Sequence, residues 1–472
     1  MKPLLAKPRD HAPARYFGQL MTKARRENAL YWFVFLSGFA WTTYLCLNSP
    51  GAATHDEIAH FLISRGSWHH PAGILSVWGR PVNTIVYMIP SLWGLEGARY
   101  FSLILASLTV FLSTKVAQKL GVKYLFFIPL FLWFQPLFHR FSYSAITEVP
   151  FSFLLILGTF LWLNKQEVFA SISIGLLPLV RHEGILLVLV WCLYTLYKQQ
   201  WKAVFICLSP TIAYNISHYI VFWSWPIDIF FRHKPTLFYG SGTWLHFIHP
   251  LAKLVGIPLL VLSALSFIPI MSLKVNFFVF IGHILYFFSH VVIYHFGLYA
   301  SAGYSRFLLP LAPMFAIAAA LGGQSVLGLI RMVSAKLATT DHSFQIVRFF
   351  IVMITIICVV YTGLQTPPRP LDREAVASQE AANWIRSSGL SINRVVAIHP
   401  WFRFFYEEWR TVGIEWGRGR LLEELVPGTL VVWDCHYSDR SGISYDHLYD
   451  VVNGWRELKQ FGDSIVVVFQ KN

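Results

Sequence analysis

The sequence predicts an α-helical polytopic membrane protein carrying a small soluble α/β domain at its C-terminal end. Three observations carry that prediction. Hydrophobic residues make up 55% of the 472-residue chain and charged residues only 13%, with mean hydropathy +0.52, too few charges to cover a soluble protein of this size. Apolar runs recur between residues 29 and 365, with Lys and Arg at their borders. Beyond residue 365 acidic and basic residues return and the helical pattern gives way to mixed helix-like and strand-like stretches.

The formal charge of +14 does not point to nucleic acid, because the basic residues flank apolar runs instead of forming one stripe. Cys46, Cys192, Cys207, Cys358 and Cys435 are scattered, so neither a disulfide framework nor a CxxC metal site is indicated.

Residues 1–28, with Lys2, Lys7, Arg9, Arg15, Lys23, Arg25 and Arg26, read as a basic cytoplasmic tail before a retained anchor; the segment is long and lacks a small-residue cleavage site. Residues 29–365 read as the transmembrane domain. About eleven spans are expected, near 29–47, 99–115, 124–138, 148–163, 168–181, 184–197, 203–224, 251–272, 276–296, 307–329 and 347–364. Several fall short of the roughly 20 residues a straight span needs, which predicts tilted helices and interfacial pieces. Lys115, Lys119, Lys123, Lys198, Lys202, Arg331 and Lys336 fall on the N-terminal side of the membrane, so the positive-inside rule puts the N-terminus in the cytoplasm and the C-terminus outside.

The first outer loop, residues 48–98, has helical spacing from Asp56 to Ser64, a break at Gly66, and an apolar stretch from Ile85 to Trp93 too short to span and suited to an interfacial helix. Residues 366–472 open with the stiff linker Pro367-Pro368-Arg369-Pro370 and carry strand-like runs at Arg394–Ile398 and Ile465–Phe469. On a strand, Asp434, His436 and Ser438 would share one face, but with no nucleophile elbow they do not make a hydrolase triad.

Carboxylates are rare in the membrane-embedded part: Asp10, Glu27, Asp56, Glu57, Glu96, Glu148, Glu167, Glu183, Asp228 and Asp341. Asp56, Glu57, Glu96, Glu148, Glu183 and Asp228 all fall on the outer side in this topology. Asp56 sits at a helix N-terminus, where the dipole favours the ionised form; it reads either as an N-cap or as a proton acceptor beside the bilayer. Arg181 and Arg140 at span ends either snorkel or hold a polar partner.

Asp56-Glu57 after the first span, Gly66-Ser67-Trp68, Arg99 opening and Lys115 closing the second span together resemble the GT-C class of integral-membrane glycosyltransferases. So do Tyr143 to Phe151 at the start of the fourth span, the Arg181-His182-Glu183-Gly184 turn, and Tyr304-Ser305-Arg306-Phe307-Leu308-Leu309-Pro310-Leu311-Ala312-Pro313 opening a late span. The resemblance covers most of residues 30–313, with Arg80-Pro81-Val82 standing where the bacterial aminoarabinose and protein-mannosyl branches carry a Lys-Pro-Pro-like stretch.

The resemblance implies an inverting transferase that moves a sugar from a polyprenyl-phosphate donor to a lipid, glycan or protein hydroxyl, at the extracytoplasmic face of a bacterial inner membrane. It implies Asp56 as general base, with Glu57 and Glu148 positioning the base or the acceptor. Arg306 and Arg181 would hold the donor phosphate, with Tyr304, Glu183 and Arg80 as further binding groups. No metal site is assigned; a divalent cation shared by Asp56 and His60, at i and i+4, stays open. The C-terminal domain would cover the cavity and help bind acceptor. The reading from another class is a secondary transporter or flippase for a lipid-linked or amphipathic substrate, against which the one-sided carboxylates and the lack of a visible repeat weigh.

Overall fold

The computed structural model describes residues 12–228, 240–267, 277–298, 301–336, 340–407, 425–450 and 454–472. The start of the basic tail, residues 1–11, and the junction of the expected spans 251–272 and 276–296 lie outside the described residues.

Among the described residues, five helices are long and apolar enough to cross a membrane: Arg25–Leu47, Pro90–Lys119, Trp201–Phe222, Ser305–Ile330 and Gln345–Gln365. Shorter apolar helices, Glu148–Leu163, Glu167–Leu179, Gly184–Tyr197 and Val279–His295, pack among them. The protein is a membrane protein built from long spans and broken ones. Residues 124–138, expected as one span, form two short helices, α5 (Phe127–Trp133) and α6 (Pro136–Phe141). Pro136 starts α6 because a proline N1 needs no backbone donor, and the chain turns at Phe134 and Gln135. Likewise Leu251–Val255 and Ile257–Leu265 are separated by Gly256, whose φ of 94° only glycine adopts cheaply.

Without a hydrophobic driving force between helices in lipid, close approach through small residues does the packing. A Cβ on Gly322 would stand 1.8 Å from the Leu262 carbonyl oxygen, so the helices Ala312–Lys336 and Ile257–Leu265 cross backbone to backbone.

The first outer loop folds back onto this bundle. Helix α2 (His55–Gly66) spans the predicted segment, and its buried face carries Ile58, Phe61 and Leu62. The stretch expected as one interfacial helix is instead α3 (Pro81–Met88) followed by a 3-10 turn, Pro90–Trp93, since Pro90 interrupts the helix. Helix α4 (Gly94–Lys119) then enters the bundle and packs against α7 (Glu148–Leu163).

After the last span the linker lies against this loop: Gly51 N–H donates to Arg369 O at 2.9 Å and Arg369 N–H to Ser49 Oγ at 3.0 Å. Among the described residues beyond 373, four strands form one sheet in the order β1 (Arg394–Ala397), β2 (Thr429–Asp434), β4 (Val466–Lys471), β3 (Trp455–Phe461). The β1/β2 pair is parallel and the other two are antiparallel. Both sheet faces are covered by apolar clusters, which is why β2 is buried at every position. Ala375 and Trp401, from helices Arg373–Ser387 and Pro400–Phe405, pack on Ile58, Phe61 and Leu62 of α2.

Because the Gly322 crossing has no room for a side chain, Gly322→Val is expected to destabilise the bundle by about 1–3 kcal/mol. An unchanged melting temperature of the purified variant in detergent would show that the crossing is looser than described.

Candidate active site

A cavity of about 890 Å³ opens where α2, the start of α7, the turn before α9 (Gly184–Tyr197) and the 3-10 turn Ser305–Leu311 converge. Asp56, Arg80, Glu148, Arg181, Glu183, Tyr304 and Arg306 all line it. These residues are scattered from position 56 to 306, and each is delivered by the first turn of a helix or the loop just before one.

Thr54 at the N-cap of α2 is extended, with φ −158°, which turns Asp56 in the first helical turn towards the cavity. Arg306 Nη1 donates to Thr54 Oγ1 at 2.6 Å and Arg306 Nη2 forms an ion pair with Asp56 Oδ2. The same guanidinium presents Nε 3.3 Å from Glu148 Oε1 and lies over the Tyr304 ring at 5.0 Å. Glu148 Oε1 also takes Arg181 Nη1 at 2.5 Å, while Arg181 Nη2 donates to Glu183 Oε1 at 2.9 Å. The result is an alternating row, Asp56, Arg306, Glu148, Arg181, Glu183, in which every buried charge touches its opposite.

Arg80 differs from the other arginines. Its backbone is held at φ 62° immediately before Pro81, a region that non-glycine residues populate at a cost of roughly 1–3 kcal/mol and that recurs at functional sites. Its Nη1 donates to the neutral Thr147 Oγ1 at 2.8 Å, and no carboxylate among the described residues pairs with it. Burial, and after it the Arg181 cation, pull Arg80 down to about 10, so it stays protonated at neutral pH. Its buried Nε and that of Arg181 find no protein acceptor among the described residues. The cavity floor therefore carries buried N–H donors on cations, the chemistry that takes an anionic oxygen.

Asp56 is the most exposed of the three carboxylates on this floor, with 27% side-chain exposure against 16% for Glu183 and 2% for Glu148. Burial pushes its pKa up, but Arg306 above all, with His60 and Arg80, holds it below the usual carboxylate range. Asp56 is ionised at neutral pH. His60 is driven to about 4, first by burial and then by Arg80, and stays neutral while its ring stacks on Trp78 at 6.0 Å. The Asp56 carboxylate thus turns to Arg306, and His60 to Trp78.

Above this polar floor the wall is apolar: Leu186, Leu189 and Leu193 of α9 face Leu285, Phe288 and Val292 of the helix Phe277–His295. The rim is closed on the other side by His436, Tyr437 and Arg440, which the C-terminal sheet brings in after β2. That rim corrects the strand reading of Asp434 to Ser438. β2 ends at Asp434, whose Oδ1 accepts from the His436 and Tyr437 N–H groups at 3.0 and 2.6 Å, so the residues form a turn.

Glu57, expected to position the base or the acceptor, follows Asp56 in α2. One helical step turns its side chain by about 100° around the helix axis, away from the cavity, which it does not line. It is fully buried, with Oε1 2.7 Å from Arg99 Nε and Oε2 2.8 Å from Ala53 N–H and 3.7 Å from Arg369 Nη1. Arg99 Nη1 and Nη2 donate to the Ser49 and Gly51 carbonyls at 2.6 and 2.8 Å. Glu57 anchors the loop that presents Asp56. Of the two span-end arginines, Arg181 is buried with carboxylate partners and Arg140 is exposed beside Phe141.

Sequence reasoning passed over Thr147, which accepts from Arg80 and Arg181 and donates to Glu148 Oε2 at 3.2 Å. Its adjacency to Glu148 was the available signal. Tyr437 and Arg440 carried none, because only the tertiary fold brings the tail to the cavity.

No family model matches the chain, and no curated protein matches its sequence. Solved structures do match. The crystal structure of ArnT from Cupriavidus metallidurans in the apo state superposes with TM-score 0.62 at 13% identity, over 95% of this chain and 98% of that one. The crystal structure of the same protein bound to undecaprenyl phosphate gives TM-score 0.61 at 13% identity, over 93% and 97%. The fold is that of the GT-C class.

Glu57→Gln is expected to cost about 3–5 kcal/mol, because it leaves Arg99 buried without its counter-charge. The Glu57 carboxylate is also held below its ordinary 4.5 by Arg99 against the upward push of burial. Its stabilisation is therefore complete above pH 4.5 and lost as pH falls through its lower folded value. Melting curves against pH should show an acid decline in the parent that is flattened in Glu57→Gln; parallel curves would remove the ion pair from the account.

Proposed function

We propose that this chain is a membrane glycosyltransferase that moves a sugar from a polyprenyl-phosphate carrier to an acceptor hydroxyl in a single, inverting displacement. The observation that carries this reading is the cavity itself, where a floor of arginines and carboxylates meets an apolar wall of α9 and the helix Phe277–His295. A substrate that fits both halves is an anionic head on a long hydrocarbon tail. The apolar wall takes the prenyl chain, and Arg80, Arg181 and Arg306 take the phosphate.

In the displacement, the acceptor oxygen attacks the anomeric carbon as the bond from that carbon to the phosphate oxygen breaks. The electron pair leaves on the carrier phosphate, and the hydroxyl proton goes to Asp56. Asp56 is ionised for this role, and its pair with Arg306 makes it a weak base until substrate arrives. Donor phosphate shares Arg306, loosens that pair and raises Asp56 basicity when the acceptor needs it. Glu148 holds Arg306 and Arg181 at the spacing a phosphate bridges. Tyr304 is half exposed at the rim and stacks on Arg306. Glu183 fixes the other edge of Arg181.

With the basic N-terminal tail in the cytoplasm, the cavity and the C-terminal sheet face outward, consistent with a bacterial inner membrane and an acceptor lipid, glycan or protein assembled outside the cytoplasm.

Purified protein in lipid, given a panel of polyprenyl-phosphate sugars and a membrane extract as acceptor, should transfer one sugar with inversion at the anomeric carbon. Asp56→Asn should lower the rate by about 10²- to 10⁴-fold while donor binding persists. Arg80→Gln should weaken binding of the carrier phosphate with a smaller effect on turnover of bound donor. Substrate-dependent transport in proteoliposomes with no transfer by the parent protein would replace this reading with that of a transporter.

A further inference from the structure

Outside the cavity floor, the described residues bring one set of metal-ligating groups together: His55 at the start of α2, Glu374 in the helix Arg373–Ser387, and His436 after β2. Their ligand atoms all lie within 4.8 Å of one another. His436 Nδ1 is 3.1 Å from Glu374 Oε2, and His55 Nε2 is 3.8 Å from the same oxygen. Tetrahedral zinc with bonds of about 2.0–2.1 Å sets its ligand atoms roughly 3.3 Å apart, so small side-chain adjustments close the set around one ion.

The surrounding hydrogen bonds orient the ligands, and a metal would displace the ring protons that His55 Nε2 and His436 Nδ1 share with carboxylates. Trp401 N–H donates to His399 Nδ1 at 3.2 Å, which leaves the proton on Nε2, and Nε2 donates to Glu374 Oε2 at 2.9 Å. His399 therefore orients the carboxylate and does not ligate. His55 Nδ1 lies 3.1 Å from Tyr437 Oη, an oxygen able to accept the Nδ1 proton once a metal replaces the proton that Nε2 shares with Asp372 Oδ2. Asp372 Oδ2, 3.4 Å from His55 Nε2, stands at the edge of the set while Oδ1 caps the helix through Ala375 N–H.

We infer that His55, Glu374 and His436 form a binding site for a zinc-class divalent cation that clamps the C-terminal sheet to the head of α2. Two imidazoles and a carboxylate suit zinc; magnesium and calcium prefer sets made of oxygen alone. The clamp joins segments 382 residues apart, by the His55 and Tyr437 contact, and places the ion beside the residue preceding Asp56. It holds the His436, Tyr437 and Arg440 rim over the cavity. The site is independent of what the cavity transfers.

Full-length protein in nanodiscs, stripped with a chelator and dialysed, should take up zinc in equimolar amount by mass-spectrometric metal analysis, with a large excess of magnesium failing to compete. Cobalt in its place should give tetrahedral d–d bands. Glu374→Gln and His436→Gln should each weaken zinc binding at least about 10-fold, and His399→Phe about 10- to 100-fold as the loss of an orienting partner. Zinc should also slow backbone hydrogen exchange across residues 434–445 in the parent and not in His436→Gln. No stoichiometric zinc and no cobalt bands in the parent protein would overturn the site without recourse to any variant. So would folded variants, judged by circular dichroism, that bind zinc like the parent.

Discussion

Arg306 is the interaction on which the site turns. One guanidinium reaches Asp56 and Thr54 of the first outer loop on one side and Glu148 of α7 on the other, joining elements that the chain separates by 252 residues at the Thr54 contact. Such a cation cannot be buried alone, since the penalty for a charge left without a partner is several kcal/mol. Each charge in the row from Asp56 to Glu183 is thereby a condition for its neighbour's burial. Arg80, held by a neutral hydroxyl, and the exposed edge of Asp56 stand outside that mutual neutralisation.

The paired carboxylates at the head of α2 divide the work by helical geometry. Asp56 faces the cavity, and Glu57 faces Arg99 and Arg369 behind it. The first stands at the cavity surface; the second fixes the backbone that presents it, much as an outer hydrogen-bonding shell fixes a ligand. The linker takes part, since Arg369 both docks on Ser49 and approaches Glu57.

What could be read in the sequence follows from which signals are local. Hydropathy marked the membrane class, and helical spacing marked α2, because both depend on neighbours in the chain. Scarce carboxylates near span ends drew attention to Asp56, Glu148 and Glu183, since an ionisable group beside lipid needs a reason. Span continuity was read less well: Pro136, Pro90 and Gly256 break segments whose hydropathy alone looks unbroken. Glu57 was read as Asp56's companion because adjacency in sequence says nothing of the turn between successive helical side chains. The imidazole and carboxylate set of His55, Glu374 and His436 had no sequence signature, because its members meet only after the tail folds over the first loop.

That meeting of the two ends has a consequence for biosynthesis. The loop bearing Asp56 leaves the ribosome early, yet Arg369, which docks on Ser49, emerges 320 residues later. At about 5–20 residues per second the interval is on the order of tens of seconds. During that time Glu57 lacks Arg369, and the head of α2 lacks its cover from Ala375 and Trp401. The helices can enter the membrane before the residues that complete the cavity rim, His436, Tyr437 and Arg440, have been made.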